Sequence, residues 1–310
     1  MERSKEDLMY SYAAGAIDGD GAIYLVKEKN DGRVLYIPFV QLAKKFGTLI
    51  SSFKNDFGGI VGSIKPRKAH HSPLHYWRLK GSENCKEFIK KVSQFLVYKK
   101  ERAKLLLEYI EKNPFVRGKI LSTDQIADRE KYHVKLALLN DEAYLQEISM
   151  VKKSLKNNED PAFWSYIAGI IDTDGSFSVR CQKGTSECKN LRYLPIIQMA
   201  MASLDVINHI RNNCIHGIVC VAKNKSCARG FHYAWSINKK QDIMDFIERI
   251  LPYLREKKEQ ATVLLNFCKG SHATLYCKAG ISKEQLEFRE ACYREIMAIN
   301  KRCSLLCESH

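Results

Sequence analysis

Runs rich in β-branched and aromatic residues, bounded by turn residues, recur in pairs along this chain. Residues 22–29 and 33–43 flank Asn30-Asp31-Gly32, a hairpin signal, and 60–66 with 74–79 form a second pair. A helix is predicted over 48–57, between the pairs, and two more over 82–95 and 98–112. The same order returns later: strands at 176–183 and 191–201, a helix at 203–213, strands at 218–223 and 231–237, helices at 239–250 and 253–268. An extra helix is predicted over 123–139, and the charged stretch KKSLKNNEDP (152–161) reads as a linker, with Asp160 or Pro161 opening the next helix. With a short helix ahead of each set, the pattern is α-β-β-α-β-β-α per copy, an α+β class with antiparallel sheets.

The copies also match residue by residue. SYAAGAIDGDGAIY (11–24) returns as SYIAGIIDTDGSFS (165–178), so that Tyr12, Gly15, Ile17, Asp18, Asp20 and Gly21 recur as Tyr166, Gly169, Ile171, Asp172, Asp174 and Gly175. Tyr36-Ile37-Pro38 with Gln41 matches Tyr193-Leu194-Pro195 with Gln198; Gly59-Ile60-Val61 matches Gly217-Ile218-Val219; His75-Tyr76 matches His232-Tyr233; and 95–109 parallels 251–265. Five blocks in one order describe a two-fold duplication, with halves at 1–155 and 156–310 and a linker at about 140–162.

Composition narrows the partner. The 310 residues are 45% hydrophobic and 27% charged, with only 7 prolines and 17 glycines, the profile of a globular chain without long disordered linkers. Fifty Lys and Arg against 35 Asp and Glu leave a net charge of +15, which favours a polyanion: DNA, RNA or an acidic membrane surface. The 11 cysteines contain no C-x-x-C pair, and Cys303 and Cys307 lack a second ligand pair, so zinc has no support. The start MERSKEDLMYSY has no apolar core of a signal peptide, and no run is long enough for a membrane span. The thiols are therefore expected reduced and mostly in the core, in an intracellular protein, organellar or in a prokaryotic cytoplasm.

Chemistry concentrates in the repeated motif. Ala14 with Gly15, and Ala168 with Gly169, put small side chains on one helix face and allow two backbones to approach closely. Each helix ends at a D-x-D-G, where Gly21 or Gly175 permits a sharp turn into the first strand. If the two helices pack side by side, Asp20 and Asp174 arrive together, and paired carboxylates suit a hard divalent cation. Ala13-Ala14-Gly15-Ala16-Ile17-Asp18-Gly19-Asp20-Gly21 and Ile167-Ala168-Gly169-Ile170-Ile171-Asp172-Thr173-Asp174-Gly175 resemble the two signature motifs of the LAGLIDADG homing endonucleases of monomeric, two-motif type. The resemblance extends over nearly the whole chain, since the surrounding blocks fit as well.

That resemblance implies two pseudo-symmetric halves with saddle-shaped antiparallel sheets, the motif helices packed at the pseudo-two-fold axis. It implies metal ligation by Asp20 and Asp174, with Mg²⁺ or another divalent cation such as Mn²⁺ or Ca²⁺, and structural roles for Asp18 and Asp172 at orphan backbone groups near the helix end. The carbonyls of Gly19 and Thr173 are further candidate ligands. Lys99 and Lys257, each followed by a second lysine, are expected to face the active-site pocket, where a lysine orders the attacking water or stabilises charge on the scissile phosphate. Lys44 is expected near the centre at the end of its strand, with Met201 as its counterpart, so the halves differ there.

The partner implied is double-stranded DNA, with each sheet in the major groove and alternate strand residues facing the bases. Gln41 and Gln198 occupy equivalent places and suit adenine; Lys65 with Arg67 recurs as Lys223 with Lys225; Arg33, Arg180, Arg78 and Tyr24 complete the candidates. The expected function is cleavage of both strands of an asymmetric site of roughly 20 bp by a monomer. An intron RNA maturase and a non-cleaving sequence-specific DNA-binding protein use the same scaffold; the presence of both Asp20 and Asp174 favours the nuclease over the maturase, and the non-cleaving binder predicts tight binding indifferent to Asp20→Asn. No splicing domain flanks the repeat as in an intein-borne nuclease, and a glycosidase with paired aspartates explains neither the charge nor the duplication.

Overall fold

The computed structural model describes residues 2–30, 33–45, 47–64, 73–114, 120–139, 157–182, 191–201, 203–223, 231–271 and 282–305. Helix α1 (Lys5–Asp20) opens on a capping box in which Ser4 Oγ accepts from the Asp7 N–H and the Asp7 carboxylate accepts from the Ser4 N–H. It runs directly into β1 (Gly21–Asn30), followed by β2 (Arg33–Lys44), α2 (Gly47–Phe57), β3 (Ile60–Ile64), β4 (Leu74–Lys80), α3 (Ser82–Val92), α4 (Lys100–Lys112) and α5 (Thr123–Leu138). The second half begins where Asp160 caps α6 (Pro161–Asp174), with proline in the first turn, where its missing N–H costs nothing. It continues through β5 (Gly175–Gln182), β6 (Arg192–Met201), α7 (Leu204–Asn213), β7 (Ile218–Lys223), β8 (Phe231–Ile237), α8 (Lys240–Ile250), α9 (Lys258–Gly270) and α10 (Lys283–Leu305).

Each half thus carries the expected αββαββα order and ends with further helices. Of these, α10 has no counterpart among the elements read from the sequence; its apolar positions Cys292, Ile296 and Ile299 pack into the core. The sheets are antiparallel with orders β1-β2-β4-β3 and β5-β6-β8-β7. Register separates two faces. Ile23 opposite Val40, and Leu42 opposite Trp77, turn into the core, while Tyr24, Gln41 and Arg78 line the other, open face.

One alignment needs correction. Trp77 pairs with Leu42 and Trp235 with Met199, so β4 and β8 correspond 158 residues apart, and His75-Tyr76 matches Tyr233-Ala234 rather than His232-Tyr233. Both tryptophans are fully buried. Gly59 and Gly217 have φ of 76° and 92°, and a Cβ there would lie 3.2 and 2.3 Å from the indole Nε1 of Trp77 and Trp235.

The linker expected at about 140–162 is described only from Asn157 onwards. Residues 140–156 lie outside the described residues, but Asn157 is buried, accepting from the Ile215 N–H and donating to Asp245, and the Asn158 N–H donates to the Asn213 carbonyl. These bonds tie the entry to α6 onto α7 and α8.

Candidate active site

The site is built on the contact between α1 and α6, which are buried along most of their length. Their approach is so close that a Cβ on Gly15 would stand 2.0 Å from the Tyr166 carbonyl oxygen, and one on Gly169 2.2 Å from that of Tyr12. The polar contacts are reciprocal. Ser11 Oγ donates to the Ala162 carbonyl (2.6 Å) and Ser165 Oγ to that of Leu8 (2.7 Å). Tyr12 Oη donates to Asp172 Oδ2 (2.5 Å) and Tyr166 Oη to Asp18 Oδ2 (2.9 Å). Matching pairs at equivalent positions place a pseudo-two-fold axis between the helices.

Asp18 and Asp172 do satisfy orphan backbone groups, but not those of their own helices. Asp18 accepts from the N–H groups of Val97, Tyr98 and Lys99 (2.7, 3.1 and 2.8 Å), which lead into α4. Asp172 accepts from those of Arg255, Glu256 and Lys257 (2.8, 3.2 and 2.9 Å), which lead into α9. A buried carboxylate at each helix entry also meets the positive end of its dipole. Tyr12 and Tyr166, whose hydroxyls complete these clusters, are repeated in both copies, and that repetition was the signal for a role that sequence reading left unassigned. Burial, with the adjacent carboxylates, raises both phenols well above their ordinary value. Asp18→Ala should destabilise the protein by about 3–5 kcal/mol, because three backbone donors lose their acceptor, and Tyr166→Phe by about 1 kcal/mol. Urea denaturation of the two variants checks this.

Gly21 and Gly175 are extended rather than left-handed, with φ of −81° and −88°. The glycine is needed for space instead: a Cβ on either would sit within 2.9 Å of the Ile17 or Ile171 backbone, where the strand leaves against the last helical turn. That turn delivers Asp20 and Asp174 beside each other. A Cβ on Gly19 would lie 2.8 Å from Asp174 Oδ2 and 2.1 Å from Thr173 Oγ1. Burial first, and the Asp20 charge second, raise the Asp174 carboxyl to about 6.

Three lysines surround these carboxylates. Lys44 Nζ donates to Asp20 Oδ2 (2.8 Å) and to the Thr173 carbonyl (2.9 Å), joining the two motifs. Lys99 Nζ donates to the carbonyls of Ile17, Asp18 and Gly19 (2.6, 2.9 and 3.2 Å). Lys257 Nζ donates to those of Ile171, Thr173 and Gly175 (2.8, 3.4 and 2.7 Å). Burial lowers both of these ammonium groups to about 8. The chain therefore places Lys99 and Lys257 on matching positions, and the adjacent Lys100 and Lys258 are the first residues of α4 and α9.

Glu256 is a further charged group at the centre, and sequence reading missed it. Its Oε2 is buried without a hydrogen-bond partner, and burial raises its carboxyl to about 7, opposed by Lys44 and Lys257. The residue equivalent to it is Tyr98, so comparing the copies conceals it. Together with Lys44 opposite Met201, it makes the two sides of the centre chemically different.

The candidates on the sheets separate. Tyr24, Gln41 and Arg78 share the open face of the first sheet, Gln198 and Arg180 that of the second, and Arg33 is exposed at the hairpin end of β2. Lys65, Arg67 and Lys225 lie outside the described residues, and Lys223 is described only as the last position of β7.

Residues 167–269 match the LAGLIDADG endonuclease family, and the reciprocal contacts above carry the same motif into the first half. The match runs from within α6 to the end of α9. Its two-half LAGLIDADG architecture is shared with solved structures. I-SmaMI, solved bound to an uncleaved DNA target with calcium ions, is 18% identical with a TM-score of 0.63, covering 92% of this chain and 97% of that one. I-AabMI, a LAGLIDADG meganuclease bound to uncleaved DNA, is 15% identical at 0.63, covering 92% and 98%. I-GzeII, in complex with its DNA target, is 16% identical at 0.59, covering 94% and 96%. At these identities the likeness establishes the LAGLIDADG fold. Among curated proteins no relative matches the sequence.

Proposed function

We propose that this protein is a homing endonuclease that hydrolyses phosphodiester bonds in both strands of a long, asymmetric DNA site of roughly 20 bp, with a divalent cation. The observation that carries the reading is the delivery of Asp20 and Asp174, one from each motif, to one place among Lys44, Lys99 and Lys257. Both motifs come from a single chain, which supports a monomer with halves at 1–155 and 156–310. The net charge of +15 suits a polyanionic partner.

The residues present fit a hard cation. The protein donors are all oxygens, the two carboxylates and the carbonyls of Gly19 and Thr173, and the ammonium groups of Lys44, Lys99 and Lys257 already lie on them as cations. Magnesium, or manganese or calcium at the same place, would activate a water and stabilise the leaving oxygen. Lys99 and Lys257 hold positive charge against the motif carbonyls, beside the carboxylates, where it can meet charge developing on the scissile phosphate. The halves present different side chains on their open faces, which supports an asymmetric target. No feature of the site or of the related structures favours intron RNA. Buried thiols at Cys85, Cys214, Cys268 and Cys292 suit a reducing compartment, organellar or prokaryotic.

The test is cleavage of a plasmid library of candidate sites by wild type and Asp20→Asn, with and without Mg²⁺. Discrete double-strand cuts that need the cation and vanish in the variant support the nuclease. Tight binding without cutting would move the reading to a repressor, and selective binding of intron RNA to a maturase.

A further inference from the structure

On the open face of the first sheet, one cross-strand row contains Ala22, Gln41, Arg78 and Ile60. Gln41 Oε1 in this row is fully engaged. It accepts from Arg78 Nε (2.8 Å), Arg78 Nη2 (2.5 Å) and Tyr24 Oη (3.1 Å). The guanidinium is held from other sides too, 4.6 Å from the Tyr76 ring centroid and 5.1 Å from that of Phe39, against which Tyr24 stacks at 5.5 Å. In the second sheet, the equivalent Gln198 lies between Ser176 and Ser236, and its Oε1 accepts from Arg180 Nη2 (2.7 Å).

A free glutamine amide suits adenine because it offers one acceptor, for N6–H, and one donor, for N7. Here the acceptor of Gln41 is spent and that of Gln198 is engaged on one lone pair, in each half by a charged donor, and such bonds are about twice as strong as neutral ones. What Gln41 and Arg78 have left is donors only, the amide Nε2 hydrogens and the unused guanidinium hydrogens, and in the Gln198–Arg180 pair the remaining donors outnumber the one lone pair left on the amide oxygen. For Arg78 the Nε side of the fork is engaged with Gln41, which leaves Nη1 and the second Nη2 hydrogen as an end-on fork. Guanine, with O6 and N7, is the base whose major-groove edge presents two acceptors and no donor.

We infer that Gln41 with Arg78, and Gln198 with Arg180, are guanine-reading pairs, one in each half of the DNA target. The inference rests on the proposed DNA-cutting function and adds which base these positions choose. It replaces the adenine expected from the glutamines alone. The two pairs are also built differently. Arg78 joins Gln41 from β4, whereas Arg180 joins Gln198 from β5, on the opposite flank of the strand carrying the glutamine. The two guanines consequently fall at unequal distances from the centre of the site, and one half-site cannot replace the other by symmetry.

Selection of bound duplexes from a randomised DNA library, followed by sequencing, tests this with the full chain. Wild type should select one guanine in each half-site that depends on these residues. Arg180→Gln, at an exposed position, should lower its guanine preference at least about tenfold, move it towards adenine, and leave the other half-site unchanged. Arg78→Gln should do the same in the first half. Adenine selected by wild type at the positions these variants alter, or guanine retained in both variants, would overturn the inference while leaving the nuclease standing. A wild-type protein that selects no DNA sequence would overturn both.

Discussion

Asp174→Asn should abolish cleavage and make the metal-free protein more stable than wild type. The Asp174 carboxyl is raised to about 6, through burial and the nearby Asp20 charge, whereas an unfolded aspartate titrates near 3.9. Between these values the folded state binds more protons than the unfolded one, so stability falls as pH rises through the window, and the full penalty is present above pH 6. A shift of this size corresponds to roughly 2–3 kcal/mol. Asparagine removes the charge and should recover about 1–3 kcal/mol at pH 8, with little gain at pH 4, as read by urea denaturation in chelator. The same substitution removes a proposed cation ligand, and losing several kcal/mol of charge stabilisation should slow cleavage by about three orders of magnitude or more. A variant that is less stable at pH 8, or that cuts normally, would contradict the assignment. In wild type, protonation competes with the cation, so the Mg²⁺ concentration for half-maximal cutting should rise as pH falls below 6 and change little from 7 to 8.

The second large effect lies at the helix contact. Gly15→Ala puts a methyl group 2.0 Å from the backbone oxygen of Tyr166, in a buried helix that has no flexible end to swing aside. Such overpacking costs typically 1–3 kcal/mol, and a backbone neighbour places this case at about 3 kcal/mol or above. The helices can relieve it only by separating, which stretches the Tyr12–Asp172 and Tyr166–Asp18 bonds and moves Asp20 away from Asp174. Cutting should therefore fall well below wild type even at temperatures where the variant is fully folded. Adding Gly169→Ala should cost less than its effect alone, because both methyl groups widen one interface. Additive losses, or a folded Gly15→Ala that cuts at the wild-type rate, would show that the close approach does not position the site.

Much of this architecture could be read from the chain because it is written twice. Duplication located the paired motifs, the strands and the helices that follow them, and the D-x-D-G endings singled out Asp20 and Asp174. The lysine pairs at 99–100 and 257–258 were ambiguous by one residue, and the backbone resolves them: Lys99 and Lys257 precede the first helical turn and point back at the carbonyls of the motif. The residues that escaped are those where the copies differ. Glu256 stands where the first half has Tyr98, and its importance comes from neighbours far away in the chain, Lys44 among them.

Sequence by itself determined the two-fold repeat, the α+β order, the basic charge and the identity of the acidic pair. These depend on local periodicity, turn chemistry and composition, which any stretch of chain carries with it. Tertiary structure alone decided which backbone groups Asp18 and Asp172 satisfy, why Gly21 and Gly175 are glycine, that Lys44 bridges the two motifs, and that the amide oxygens of Gln41 and Gln198 each accept from an arginine. Each of these is a contact between residues that only the packing of helices or the register of strands brings together, and the hydrogen-bonding capacity left on a side chain depends on what its neighbours have already taken.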